Sequence, residues 1–262
     1  MQNRWRVIIW VFYLVSCALS PTLLYAAENE PRTAFSGSYK YSGFPNNEPW
    51  HEGSMEITRK TDWLGSFIGR LNYARRFGRT GLQVEIDAYP KIQKGSYVFL
   101  NYGYSPLQLF PVNRYSGELF SSLGGGREFS IGFRFLEFPS SQVLIYTGSY
   151  GIYFGNNWLS FRPYITPKSE GISTSTNVIL RMYGRDADEY MEYTFGAGFA
   201  PTDTLTDIDL DRIDSYKIGI GGKTPMGRNI IWKWSMQYSY EQLSANRTRN
   251  QFDIGGGISW GL

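Results

Sequence analysis

The stretch QFDIGGGISWGL, residues 251–262, decides the fold. Phe252, Ile254, Ile258, Trp260 and Leu262 fall on even positions, Gln251, Asp253 and Ser259 on odd ones, and glycines fill the gaps. A strand turns successive side chains to opposite faces, so one face here is apolar and aromatic and the other small and polar. Nothing follows to cover the free edge of such a strand. In lipid every backbone N–H and C=O needs a partner inside the protein, and an open edge does not survive there. The last strand is therefore expected to close on the first.

The same alternation runs outward from this stretch. In IIWKWSMQYSYE (230–241), Ile230, Trp232, Trp234, Met236, Tyr238 and Tyr240 share one face, and Lys233, Ser235, Gln237, Ser239 and Glu241 share the other. EFSIGFRF (128–135), TGLQVEIDA (80–88) and YMEYTFGAGF (190–199) read the same way. Segments of this kind, separated by turn residues, predict strands near 35–43, 50–60, 64–76, 79–89, 94–104, 112–123, 126–137, 141–154, 157–166, 172–184, 188–199, 210–223, 229–242 and 248–262. The fold class is all-β: a closed antiparallel transmembrane barrel of about fourteen strands, with about twelve as the alternative. No helical period competes, and no linker or shift in composition divides the chain after residue 27.

Composition agrees. Aromatic residues make up 17% of the chain, yet the mean hydropathy is −0.32, so the apolar residues are interleaved with polar ones rather than pooled in a soluble core. Past residue 27 no apolar run approaches the length of a transmembrane helix. Connections alternate in length. FPNNEP (44–49), SPLQLFPV (105–112) and APTDTLTDID (200–209) are long; TD (61–62), LGGG (123–126), GNN (155–157) and TPMG (224–227) are tight. In outer-membrane barrels short turns face the periplasm and longer loops face outward. The short connection at Gly78 departs from that trend.

The first 27 residues read differently. Arg4 and Arg6 form a basic start, VIIWVFYLVSCALS an apolar segment, and LLYAA ends at a site for cleavage after Ala26 or Ala27. This predicts a secretory signal peptide over 1–27 and a barrel over 28–262. Cleavage removes two arginines and no acid, so the formal charge of +3 falls to +1 and implies no nucleic-acid partner. The one cysteine, Cys17, lies in the leader. LVSC (14–17) also resembles a lipobox, which leaves lipidation of Cys17 as the alternative to ordinary cleavage.

The polar face carries Arg70, Glu85, Asp87, Arg114, Glu118, Glu128, Arg134, Arg162, Arg181, Glu192, Lys217, Lys233, Glu241 and Asp253 at mid-strand. If the other face meets lipid, these groups line an interior where they must pair or meet water. Arg114, Arg134, Arg162 and Arg181 are then either a path for anionic or sugar-like solutes or the cationic half of interior salt bridges. Glu118, Glu128 and Glu192 are the expected partners of Arg134, Arg162 and Arg181. Inward Tyr183 and Tyr190 are placed to stack on sugar rings. His51, the only histidine, stands beside Glu52 near the first long loop and is expected to be an exposed loop residue. One histidine and no mature cysteine offer no metal set, and no catalytic residue or cofactor is expected.

DAYP (87–90), FPVNR (110–114), GREFSIGFRF (126–135), YTGSYGIYFGNNWLSFRPY (146–164) and LRMYG (180–184) occur in an order that resembles the YaiO family of bacterial outer-membrane β-barrels. The resemblance spans about residues 33–262 and implies the fold and an outer-membrane location, without a defined activity. Gly257, Trp260 and Leu262 also resemble the C-terminal signal read by the bacterial barrel-assembly machinery. Leu262 in place of the usual Phe, and Gly255 where a polar residue is usual, depart from that pattern. Three functions remain open: a pore for polar solutes or glycans, with exopolysaccharide export as one role; a sealed structural or assembly barrel; and a lipid- or glycan-modifying barrel enzyme. The expected partners are outer-membrane lipid, the assembly machinery and polysaccharide or small polar solutes.

Overall fold

The structure, a computed structural model, describes residues 32–262 apart from 63–64, 108, 169–170, 199–213 and 245–246. The expected leader, with Cys17, lies outside the described residues. The strands are β1 (Thr33–Gly43), β2 (Trp50–Thr61), β3 (Gly65–Arg76), β4 (Arg79–Tyr89), β5 (Lys91–Gln93), β6 (Ser96–Tyr104), β7 (Asn113–Gly124), β8 (Arg127–Glu137), β9 (Gln142–Phe154), β10 (Asn157–Lys168), β11 (Gly171–Tyr183), β12 (Tyr190–Gly198), β13 (Asp214–Pro225), β14 (Ile230–Ser244) and β15 (Arg247–Gly261). Each neighbouring pair is antiparallel. β5 is a three-residue piece in the β4–β6 turn, which the sequence reading did not foresee. The other fourteen of the fifteen strands form the wall, as expected.

Two pairings make the sheet a ring. β4 pairs with β6 from Val84↔Tyr104 to Ala88↔Leu100. β15 pairs with β1 from Ala34↔Gly261 to Gly43↔Phe252, and the Leu262 N–H donates to the Thr33 carbonyl at 2.8 Å. The edge that QFDIGGGISWGL leaves open is thus filled by the first strand, which gives Phe252–Gly261 ladder partners.

Exposure is inverted relative to a soluble protein. Along β4, Gln83, Glu85 and Asp87 are 1–4% exposed, while Leu82, Val84 and Ile86 between them are 44–57% exposed. Met55, Ile131, Ile258 and Trp260 stand outward in the same way. Such a belt is stable only against lipid, since each large apolar side chain kept in water forgoes roughly 1.5–3 kcal/mol.

Two small apolar clusters sit inside the ring near the long-loop rim. Leu136, Phe138, Val143, Ile145 and Tyr164 pack together on β8 to β10 and the connection after β8. Leu109 and Phe110, from the 105–112 connection, fold inward onto Ala74. They fit because Gly81 has no side chain: a Cβ there would lie 2.8 Å from Leu109 Cβ. The first three residues of FPVNR (110–112) therefore belong to a loop turned into the mouth, and Asn113 and Arg114 open β7. At the short third connection, Phe77 and Gly78 both adopt positive φ, 52° and 69°, the geometry of a type I′ hairpin turn.

Candidate functional site: the barrel interior

Side chains on the inner face are braced on one side of the ring. Arg70, on β3, sits directly opposite Glu56 of β2 and Glu85 of β4. Its guanidinium donates to Glu56 at 2.7 Å, Glu85 at 2.7 Å and Asp87 at 3.1 Å. Asp87 also accepts from Asn101 at 2.6 Å. Arg114, on β7, reaches back over Gly103 of β6 to Glu85 at 3.5 Å. Arg162, on β10, donates to both oxygens of Glu118 on β7, at 2.6 and 2.9 Å. That contact skips β8 and β9, so it is a chord across the concave side. Ser130 adds a third hydrogen bond to Glu118 at 2.5 Å. Arg181 and Glu192, opposite each other on β11 and β12, bond at 2.9 and 2.5 Å.

Arg134 departs from the expectation that each arginine meets a carboxylate. Among the described residues it has no ion pair, and its guanidinium lies 5.5 Å from the centre of the Tyr164 ring. Register explains this. The residues opposite Arg134 are Ser116 and Ile145, Glu118 is engaged by Arg162, and Glu128 accepts the Trp158 indole N–H at 3.0 Å over Gly151.

Aromatic rings line the inner face near the short-turn rim. Tyr97 stacks on Phe120 at 4.7 Å and 3°, and Tyr89 packs on Phe99 at 5.3 Å. Arg181 lies 5.1 Å from Trp158 and 4.3 Å from Tyr190. At the opposite rim Trp50 is held between Arg76 at 4.4 Å and Arg249 at 4.6 Å, with Phe44 and Phe77 against it. Glu52 pairs with Arg76 and with Lys40, the latter at 2.7 Å, and Glu241 pairs with Arg249 at 2.5 Å. Sequence reading singled out none of Trp50, Glu52, Arg76 or Arg249 for the interior; the even-position run Trp50, Glu52, Ser54, Glu56 is the signal that marks this face.

The opposite side of the ring is lined mostly by small residues, with Lys223 and Lys233 among them. Ser38, Ser54, Gly221, Ser235, Gly255 and Gly257 leave a cavity of ≈ 540 Å³ between β13–β15, β1 and β2 on one side and Arg70, Glu85 and Arg114 on the other. A Cβ at Gly255 would lie 2.5 Å from the Ser235 hydroxyl, and one at Gly257 2.7 Å from the Gly37 carbonyl, so close strand packing and the open space both rest on these glycines.

His51 is not on a loop. It lies on β2, opposite Tyr41 of β1. Its Nδ1 is 2.6 Å from the Tyr39 hydroxyl, and Tyr41 packs edge-on at 5.6 Å, in the aromatic belt.

The sequence profile of the YaiO membrane beta barrel domain matches residues 32–203. Among solved structures, the outer membrane protein Omp33 of Acinetobacter baumannii superposes with a TM-score of 0.55 at 10% identity, over 89% of this chain and 99% of that one. A bacterial polysaccharide outer membrane secretin does so with a TM-score of 0.57 at 7% identity, over 90% and 100%. At these identities the likeness is one of fold. No curated protein matches the chain in sequence.

Proposed function

The chain belongs to the YaiO family of membrane β-barrels, and on that footing we propose that it is an outer-membrane pore for polar solutes or glycans, with exopolysaccharide export as a fitting role. The observation that carries this reading is the ≈ 540 Å³ cavity along the glycine- and serine-lined side. Small polar residues there give passing hydroxyl groups bonding partners without filling the lumen. The inner aromatic rings offer stacking faces for sugar. A polysaccharide outer membrane secretin shares the fold, which is compatible with the same class of cargo. In this reading residues 1–27 direct export, and Gly257, Trp260 and Leu262 present the signal to the assembly machinery.

A sealed barrel is the second reading, favoured by the Arg162–Glu118 chord and by the Trp50 stack at the long-loop rim. Single-channel recording in planar bilayers separates the two. A pore conducts, and Ser235→Trp, which places an indole in the cavity, lowers its conductance while leaving heat-modifiable mobility intact. Absence of conductance in the refolded wild-type barrel refutes the pore.

A further inference from the structure

Lys223 of β13 and Lys233 of β14 are directly opposite each other in the register. Both line the cavity. Like charges facing each other across adjacent strands repel, and the confined lumen screens them less than bulk water does. Little in the protein offsets this. The Lys223 ammonium is 3.8 Å from Asp188 and 5.5 Å from the Tyr190 ring. Among the described residues Lys233 meets no carboxylate. The cavity as a whole is lined by five cationic side chains, Lys40, Arg70, Arg114, Lys223 and Lys233, against three carboxylates, Glu52, Glu85 and Glu192. Lys40 pairs with Glu52, and Arg70 and Arg114 share Glu85. Of the five, Lys233 has no carboxylate among the described residues and Lys223 only the 3.8 Å contact with Asp188; they stand two residues from the short-turn end of β13 and three from that of β14. Gly221 and Gly257 beside them keep the approach open.

We propose that Lys223 and Lys233 form a subsite for an anionic group carried on a sugar chain, with Tyr190 as the stacking face for the sugar that bears it. The inference rests on the pore reading and names its cargo as acidic rather than neutral glycan. Each ammonium supplies up to three donors. An anion between the two relieves their repulsion, which a neutral sugar does not. The short-turn position puts the subsite where a chain entering from the periplasm first meets the lumen.

The test uses the refolded barrel in detergent micelles and in planar bilayers, with oligogalacturonate, neutral maltooligosaccharide and inorganic phosphate as probes. Titration calorimetry in micelles is expected to show oligogalacturonate binding more tightly than the neutral oligomer, and the Lys223→Gln/Lys233→Gln variant binding it at least about tenfold more weakly. Lys91→Gln, a charge removed from β5 on the same rim, leaves binding unchanged. In bilayers the wild-type barrel favours chloride over potassium, and the double variant loses that preference. Phosphate binding as tightly as oligogalacturonate would overturn the sugar-chain part of the proposal. Equal affinity for acidic and neutral oligomers, or a double variant that binds like wild type, would overturn it entirely. A barrel that binds oligogalacturonate through these lysines without conducting would refute the pore and leave the subsite standing.

Discussion

Replacing Arg162 by Met tests whether the interior is held by ion pairs or merely decorated with them. Arg162 donates twice to Glu118, and their side chains are 20% and 4% exposed. After the substitution Glu118 keeps the Ser130 hydroxyl as its described donor while remaining buried. Breaking a buried pair by removing one partner costs about 3–5 kcal/mol. Water reaching a guanidinium that is one-fifth exposed lowers this, so Arg162→Met is expected to destabilise the barrel by about 2–3 kcal/mol. Glu118→Met on top of it removes the stranded charge and is expected to restore most of the loss, because an apolar pair of similar volume is often neutral or better. Equilibrium urea unfolding in phospholipid vesicles, followed by tryptophan emission, reads both. A single variant within about 0.5 kcal/mol of wild type, the range of an exposed pair, would show that the chord is fully wet and that the braced wall is not what holds the barrel's shape.

Arg134→Met runs the other way: with no carboxylate to strand and only the Tyr164 ring to lose, it is expected to leave urea stability unchanged or raise it by about 1 kcal/mol. Gly81→Val places a side chain where Leu109 and Phe110 pack, and is expected to cost about 1–3 kcal/mol of stability and to raise single-channel conductance as the 105–112 connection leaves the mouth. Deleting residues 247–262 removes β15 with Trp260 and Leu262 and is expected to abolish the heat-modifiable barrel in outer-membrane fractions. In the exposed connection between β11 and β12, the Arg185 side chain and backbone N–H hold the Glu189 carboxyl below the usual carboxylate range. A depressed folded value means that this contact stabilises the turn above the ordinary carboxylate pKa and is lost as pH falls through the lowered one. Carbon-13 titration of Glu189 in Arg185→Gln is expected to raise the carboxyl toward its ordinary range without reaching it, because the backbone N–H at position 185 still donates.

What the sequence made legible follows from the two-residue period of a strand. β4 shows it plainly: Leu82, Val84 and Ile86 point one way and Gln83, Glu85 and Asp87 the other, and no soluble core explains both faces. Closure was legible too, from the apolar alternation running to Leu262. Period alone says nothing of height or register, and there the reading stopped. Arg134 and Glu118 share a face and neighbouring strands, yet the stagger of the ring sends Glu118 to Arg162, three strands on. The inward turn of Phe110 depends on the space above Gly81, a tertiary property. Trp50, greasy enough for the lipid belt, instead stands between two guanidinium groups because its even position falls on the inner face of β2.

The densely tied wall and the small-residue wall make the barrel an unevenly stiffened hoop. From β2 round through β12, side chains tie strand to strand and, with Arg162, strand to third strand; in the arc from β13 to β1 the ties are fewer, Glu241–Arg249 and Gln237–Asp253 between β14 and β15 and Ser36–Ser259 across the seam, and Gly221, Gly255 and Gly257 have no side chain to add one. A hoop of this kind flexes where it has no cross-ties. Breathing of the cross-section is therefore expected to be greatest between the few ties of the arc from β13 to β1, and amide exchange beside Gly221, Gly255 and Gly257 is expected to outpace exchange along β7 to β10.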